Sequence, residues 1–261
     1  MTGRWSARSY LPADRTQSEC AAAHREPVAG PIRRDELAVD VVEAAVRLLG
    51  CTVEADTPDG TVAVRLVEVE AYRGADDPAS HSFRGRTPRN AVMFGPPGHL
   101  YVYFVYGMHF CANVTCLNEG EAGAVLLRAA EVTSDLAVAF ARRPSARRAT
   151  ELARGPARLA ALLGLGRADN GLDVTDPASP VRVLAGPPVD PASVRTGPRV
   201  GVAAAHDTAW RFWLAGSPAV SPYRPGRGAG SAPGTGGGGS SACAPRTSTA
   251  RTSWTSWNGA A

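Results

Sequence analysis

The sequence predicts a single domain of mixed α/β (α+β) class, in which a curved, mainly antiparallel β-sheet is packed by helices and one β-hairpin protrudes. Three observations predict this fold. Apolar strand patterns follow one another over residues 61–72, 98–116 and 123–132. The second pattern is interrupted by a Gly-Met pair, as is typical of a tight hairpin. Helical periodicity occurs on both sides of this strand-rich region.

The first predicted element is a helix within RRDELAVDVVEAAVRLLGC, residues 33–51. Its apolar residues recur at helical spacing, and Gly50 suits its C-terminal end. These apolar residues are Leu37, Val41, Val42, Ala45, Leu48 and Leu49. The turn signal TPDG then leads into TVAVRLVEVEAY, which is rich in β-branched residues and predicts a strand.

The hairpin is predicted in GHLYVYFVYGMHFCANVTC, with Gly107 and Met108 as a two-residue type II′ turn between two strands. GAVLLRAAEV predicts the next strand. Two helices are predicted in SDLAVAFARR and GPARLAALLGL, the second of which opens with a Gly-Pro pair. VRVLAG and RFWLAG predict two short strands.

The chain of 261 residues, 44% of them hydrophobic, suffices for one sizeable core. We expect a flexible arm at 1–33, a folded domain at 34–221 and a disordered Gly/Ser/Arg-rich tail at 222–261. The tail contains four arginines and no acidic residue, so it is either a solubilising or accidental extension or a basic arm that touches nucleic acid. No segment predicts a membrane span or a secretory signal.

The charge of the chain favours a polyanionic partner. All 28 residues counted as Lys or Arg are arginine, and the net charge of +4 gives a pI near 9.0. The bias against lysine itself fits a genome that replaces Lys by Arg. The five cysteines are odd in number and form no CxxC motif, which predicts a reducing cytoplasm without a disulfide framework or a metal site.

Carboxylates and aromatic residues share one predicted strand face. Alternation along residues 66–72 places Glu68, Glu70 and Tyr72 with Leu66 on one face, opposite an apolar face. A solvated face with the tyrosine as a lid on the core is the plain alternative. A second aromatic cluster shifts the balance towards chemistry on a nucleobase, because stacked rings bind a flipped base and a rigid hairpin tip can wedge into stacked bases. This cluster comprises Tyr101, Tyr103 and Tyr106, followed by Met108 and His109.

VEVEAYRGADDPASHSFRGRTPRN, MFGPPGHLYVYFVYGMHFCANV and GAVLLRAAEV together resemble the alkyladenine (3-methyladenine) DNA glycosylase family, of the mammalian type that also occurs in bacteria. The resemblance covers roughly residues 33–221. It implies a monofunctional enzyme of base excision repair that flips and hydrolyses alkylated or deaminated purines from double-stranded DNA. It implies no cofactor and no metal, and we expect a cytoplasmic, nucleoid-associated monomer.

The resemblance also implies roles for individual residues. Glu70 would act as the general base for water, and Arg128 would hold that water or the neighbouring phosphate. The purine would lie between Tyr72 and Tyr103, with His81 closing the pocket and Asn113 excluding the 2-amino group of guanine. A strict two-residue turn would put Tyr103 and Asn113 on opposite faces, whereas a bulge or a longer loop would bring both to the pocket, so the hairpin register stays open. Tyr106, next to Met108, would fill the vacated stack. Without the resemblance, His81 would be taken as a surface histidine. Glu68 has no catalytic role in this interpretation, and we expect it to make a structural hydrogen bond.

Further arginines are candidates for contacts with the DNA backbone. Arg84, Arg86 and Arg89 follow the predicted site loop, and Arg158 belongs to the run of six arginines in ARRPSARRATELARGPAR. A solvated helix face is the alternative for that run. Two other functions stay open: a non-catalytic nucleic-acid-binding module of the same fold, and a hydrolase of free nucleosides. An intact Glu70 disfavours the first, and the hairpin wedge disfavours the second.

Overall fold

The computed structural model describes residues 30–105 and 107–226. The predicted arm up to residue 29, Tyr106 and the predicted tail from residue 227 lie outside these residues. The helices are α1 (Arg34–Leu37), α2 (Val41–Leu48), α3 (Leu136–Arg142) and α4 (Pro156–Leu163). The strands are β1 (Thr52–Thr57), β2 (Gly60–Arg73), β3 (Leu100–Val105), β4 (His109–Thr115), β5 (Gly123–Val132), β6 (Val181–Leu184), β7 (Val194–Gly197) and β8 (Arg211–Leu214).

All eight strands belong to one antiparallel sheet in the order β3-β4-β5-β2-β1-β6, with β8 pairing β2 and β7. The 14-residue β2 is long enough to pair with β5 along one edge and with β1 and then β8 along the other. Helices α2 and α4 pack against this sheet. The predicted α+β domain with a curved antiparallel sheet is thereby confirmed.

The N-terminal helical segment is divided into two helices, where the sequence predicts one. Asp40 accepts a hydrogen bond from the backbone N–H of Val42 (2.9 Å) and caps α2. Capping by an aspartate starts a helix, because it satisfies a free N–H of the first turn. The preceding turn, Arg34–Leu37, therefore forms its own short helix, which buries Leu37.

A β-bulge in the middle of β2 corrects the predicted faces. The pairing of β2 with β5 shifts between Leu66 and Glu68 and again between Glu68 and Val69. An extra residue in a strand changes which face the following side chains occupy. Leu66 therefore lies in the core and does not share the face of Glu68. The core residues of β2 are Val62, Val64 and Leu66 before the bulge and Val67, Val69 and Ala71 after it.

The hairpin also differs from prediction by one residue. Val105 pairs with His109, Tyr103 with Cys111 and Tyr101 with Asn113, so three residues and not two separate the strands. Gly107 has φ of 70°, a left-handed conformation that suits a three-residue loop. The predicted two-residue turn is wrong, and the three-residue loop puts Tyr103 and Asn113 on the same face of the sheet.

The ends of the described chain contact the domain. The backbone N–H of Ile32 donates to the carbonyl of Val183 in β6 (2.8 Å), and Ile32 is buried. Near the other end, the N–H of Gly201 donates to the carbonyl of Arg224 (2.9 Å). Within the described residues, no helix combines the length and the apolar character needed to cross a membrane.

Candidate active site

A cavity of about 400 Å³ opens on the face of the sheet that lies opposite the main core. Side chains alternate across a strand, so each strand here supplies one set to the core and the other to the cavity. The strand residues that line the cavity are Tyr72, Tyr101, Tyr103, Val105, Cys111, Asn113, Leu126 and Arg128. The rest of the wall consists of loop and helix residues: Pro78, Ala79, His81, Met93, Pro156 at the start of α4, and the segment from Val200 to Ala204. The volume is in the usual range for a small-molecule pocket.

Glu70 lies behind this wall and is fully buried. One carboxylate oxygen accepts hydrogen bonds from the Tyr72 hydroxyl (2.8 Å) and from Nη1 of Arg128 (3.3 Å). The other accepts the backbone N–H of Val200 (2.7 Å). All three donors belong to residues that line the cavity. The carboxylate is therefore fixed in one orientation directly behind these three residues. The alternative of a solvated face is wrong.

Arg128 is held by two carboxylates. Its Nε donates to Glu68 (3.1 Å), its Nη1 to Glu70 and its Nη2 to the Ser221 hydroxyl (3.2 Å). Burial alone would lower the pKa of Arg128, but the charges of Glu70 and Glu68 outweigh burial and raise this pKa. The guanidinium is therefore a fixed positive charge at the cavity wall.

Glu68 is the second carboxylate that holds Arg128. It is fully buried and accepts hydrogen bonds from Arg128, from Nε of Arg211 (2.7 Å), and from both the hydroxyl (2.8 Å) and the backbone N–H (2.7 Å) of Ser221. Arg211 in turn donates to the carbonyl of Ser221 (2.8 Å). The sequence predicts a structural hydrogen bond for Glu68, and the structure shows that its carboxylate accepts four.

Tyr72 and Tyr103 present aromatic surface to the cavity from β2 and β3. Burial, followed by the charge of Glu70, raises the pKa of Tyr72 well above its ordinary value. Burial raises the pKa of Tyr103 as well, with a smaller contribution from Cys111. Both phenols are therefore neutral at physiological pH, as suits flat apolar walls.

His81 stands at the rim of the cavity. Its Nδ1 is 3.0 Å from the Tyr101 hydroxyl, and its ring meets the Tyr103 ring edge-on with centroids 4.5 Å apart. Asn90 secures the loop by donating to the His81 carbonyl (3.0 Å). Burial, and then the charge of Arg89, lowers the pKa of His81. The histidine is therefore neutral at pH 7 and can donate or accept a hydrogen bond.

Asn113 lines the cavity from β4 and is buried. Its Nδ2 donates to the backbone carbonyl of Tyr101 (3.0 Å), which fixes the orientation of the amide. The structure therefore brings Glu70, Arg128 and the four predicted pocket residues together around one cavity.

The predicted DNA contacts that the structure describes do not line the cavity. Met108 is 69% exposed at the hairpin tip, and Tyr106 lies outside the described residues. Arg84, Arg86 and Arg89 are exposed in the loop after His81, with the Arg89 guanidinium 5.9 Å from the Tyr103 ring centroid. Arg158 is exposed in the first turn of α4, away from this loop in sequence.

Comparison with known proteins decides the family. The model of the family described as "Methylpurine-DNA glycosylase (MPG)" matches residues 35–218. The chain belongs to this family. Similar proteins include three named "Putative 3-methyladenine DNA glycosylase". That of Nocardia farcinica is 55% identical over 73% of this chain and 90% of its own length. Those of Streptomyces avermitilis and Mycobacterium tuberculosis are 52% and 51% identical, over 74% and 73% of this chain and 92% and 93% of their own lengths.

Membership in the methylpurine-DNA glycosylase family confirms the predicted enzyme class, a DNA glycosylase of DNA repair. The roles predicted for single residues stay predictions. Among the described side chains, no group of three or more His, Cys, Asp or Glu is arranged to hold a metal ion. Cys51, Cys111 and Cys116 are free thiols.

Sequence reasoning missed several residues of this methylpurine-DNA glycosylase site. Val200 acts through its backbone N–H, for which no side-chain signal exists. Cys111 would have been found with the correct hairpin loop, because it pairs with Tyr103. Asp77 and Arg199 form a buried ion pair behind Tyr72, and their separation of 122 residues leaves no local pattern.

Proposed function

We propose that this family member is a monofunctional DNA glycosylase that flips a damaged purine out of double-stranded DNA and hydrolyses its N-glycosidic bond. Its substrates are alkylated or deaminated purines of the 3-methyladenine, 7-methylguanine and hypoxanthine type. The observation that carries the proposal is a buried carboxylate, Glu70, hydrogen-bonded to three residues of a cavity walled by tyrosines.

In the proposed reaction, Glu70 accepts a proton from a water molecule as the water oxygen bonds to C1′ of the sugar. The bond from C1′ to the purine nitrogen breaks, and its electron pair leaves with the base. Water reaches the carboxylate between Tyr72, Arg128 and Val200, where the Arg128 guanidinium orients it. A base that acts from a fixed position in this way typically contributes ~10²–10⁴-fold to the rate.

The flipped purine is proposed to lie between Tyr72 and Tyr103. Neutral aromatic walls bind any purine by stacking, and they bind a cationic, alkylated purine more strongly. His81 then closes the cavity and hydrogen-bonds the base edge, while the amide of Asn113 collides with the 2-amino group of normal guanine. The fixed orientation of that amide supports this role, because a mobile side chain could yield.

The DNA duplex is proposed to contact the rim of the cavity. Tyr106, beside the exposed Met108, fills the stack that the purine leaves. Arg84, Arg86, Arg89 and Arg158 contact phosphates, in keeping with the net positive charge. The enzyme is proposed to act as a monomer at the bacterial nucleoid.

The test is single-turnover excision of hypoxanthine from a duplex by the wild type and by Glu70→Gln. We expect the variant to lose ~10²–10⁴-fold in rate while still binding the lesion duplex. Glu54→Gln is the matched control, because Glu54 pairs with Arg182 at the β1–β6 edge, and its rate should be unchanged. An unchanged rate in Glu70→Gln contradicts the assignment. No excision by the wild type favours a binding module, and faster hydrolysis of free inosine favours a nucleoside hydrolase.

A further inference from the structure

A buried ion pair lies directly behind one wall of the cavity. Arg199 and Asp77 have side-chain exposures of 0% and 1%. The two terminal nitrogens of Arg199 donate to the two carboxylate oxygens of Asp77, over 2.5 and 2.8 Å. Asp77 also accepts the backbone N–H groups of Arg73 (3.2 Å) and Ala79 (3.0 Å), which connects the pair to the segment that precedes His81.

The guanidinium of Arg199 lies between two aromatic rings. Its carbon is 4.7 Å from the ring centroid of Tyr72 and 5.3 Å from that of Trp210. Nη1 donates to the carbonyl of Ala71 (2.9 Å), whereas Nε is buried without a hydrogen-bond partner in the described structure. Tyr72 lines the cavity and Arg199 does not, so the charge backs the ring from the side away from the cavity.

A positive charge on one face of an aromatic ring weakens the binding of a cation to the other face. A ring attracts a cation through its negative face, and a guanidinium already over one face competes for that attraction. The charge also repels a cation directly. A purine stacked on Tyr72 would lie about 8 Å from the guanidinium, taking a stacking separation of about 3.5–4 Å. A neutral purine meets no such repulsion.

Asp77 limits this effect. With an effective dielectric constant of about 20, one positive charge at about 8 Å disfavours a cation about 30-fold. A bidentate carboxylate lies in the plane of the guanidinium, and Trp210 lies on the side of that plane away from Tyr72. The carboxylate is therefore beside the guanidinium, about 9 Å from the purine, and restores about 20-fold by the same relation. The intact pair therefore leaves the cavity within about twofold of neutral towards cationic bases.

We propose that the Arg199–Asp77 pair sets the selectivity of the cavity between cationic alkylated purines and neutral deaminated purines through the balance of charge behind Tyr72, because the guanidinium alone would disfavour cationic bases and the carboxylate restores their binding. The inference rests on the proposed function, since it assumes that a purine stacks on Tyr72. Arg199 and Asp77 are positioning residues that do not touch the substrate. The sequence around Asp77 and around Arg199 contains no motif that indicates this role.

The experiment measures kcat/KM for 7-methylguanine, which is cationic, and for hypoxanthine, which is neutral, in otherwise identical duplexes. Both values are measured with the same enzyme. A loss of folded protein lowers both by the same factor, so it cancels in their ratio, which reports the difference between the two transition states. Three variants are compared with the wild type: Asp77→Asn leaves the positive charge unbalanced, the double variant Asp77→Asn/Arg199→Gln removes both charges, and Arg199→Lys keeps both.

We expect the ratio of 7-methylguanine to hypoxanthine to fall about 30-fold in Asp77→Asn, and to stay within about twofold of the wild type in the double variant and in Arg199→Lys, even if both activities decrease. Should Asp77→Asn fail to fold, Arg199→Gln leaves the negative charge unbalanced and should raise the ratio about 20-fold. An unchanged ratio in Asp77→Asn overturns the inference, as does a ratio in the double variant that falls as far as in Asp77→Asn. A wild type that excises neither base contradicts the proposed function instead.

Discussion

Replacing Glu68 by Gln tests whether the buried charge cluster stabilises the domain. The carboxylate is fully buried and accepts four hydrogen bonds, two of them from Arg128 and Arg211. An amide of the same size has one acceptor oxygen, so its NH₂ group must face a donor, either Ser221 or one of the arginines. Arg128 would keep Glu70 as a partner, whereas the Arg211 guanidinium would lose the carboxylate it contacts. Removing one partner of a buried ion pair costs about 3–5 kcal/mol.

The assay is urea and thermal unfolding of the wild type and Glu68→Gln, followed by circular dichroism. In a domain of this size, each kcal/mol lowers the midpoint by about 2–4 °C, so a decrease of roughly 6–20 °C is expected. Glu54→Gln is the control, because its ion pair with Arg182 is partly exposed and should change stability by no more than about 1 kcal/mol. A loss below about 1 kcal/mol in Glu68→Gln would refute the reasoning.

Three further predictions concern the chain end, the chemistry and pH. A chain that stops at Gly226 should excise hypoxanthine at the full-length rate, whereas one that stops at Val220 lacks the Ser221 contacts and should be inactive; equal activities in single-turnover assays would disprove this. Borohydride should trap no covalent complex with lesion DNA, because the chain contains no lysine to form a Schiff base, and a trapped adduct in a denaturing gel would contradict it. The pKa of His81 is lowered, chiefly by burial, so the unfolded state binds more protons and stability should fall as pH decreases through about 6.5; urea unfolding at pH 5.5 and 7.5 should show a smaller difference in His81→Gln than in the wild type.

Strand and helix periodicity predicted most elements of the fold because their apolar patterns are local. β2, β3, β4 and β5 and the helices α3 and α4 occur where the patterns indicated them. β1 and β7 were not predicted. Their sequences, TVEADT and VRTG, are short or polar, and they form strands because β2 and β8 offer unpaired edges. Such strands depend on their neighbours more than on their own propensity.

Single-residue irregularities account for the remaining errors. Simple alternation cannot foresee the bulge at Leu66 to Val69, although two consecutive residues of the hydrophobic core, Leu66 and Val67, mark it. The hairpin loop is one residue longer than the Gly-Met pair suggests. The resemblance placed Tyr103 and Asn113 together where alternation with a two-residue turn did not. The network around Glu68 joins positions up to 153 residues apart, which no local pattern reveals.

Ser221 is synthesised long after Glu68, the residue whose carboxylate it binds. Glu68 is made early, yet two of its four hydrogen bonds come from a residue 153 positions later, and a third comes from Arg211. A growing chain therefore contains the carboxylates long before it contains the groups that neutralise and fix them. Long-range contacts of this kind form late, because the intervening chain must first be closed into a loop. An enzyme that cuts bases from DNA is thus completed only by nearly the last described segment, and prematurely ended chains are expected to be harmless to the genome.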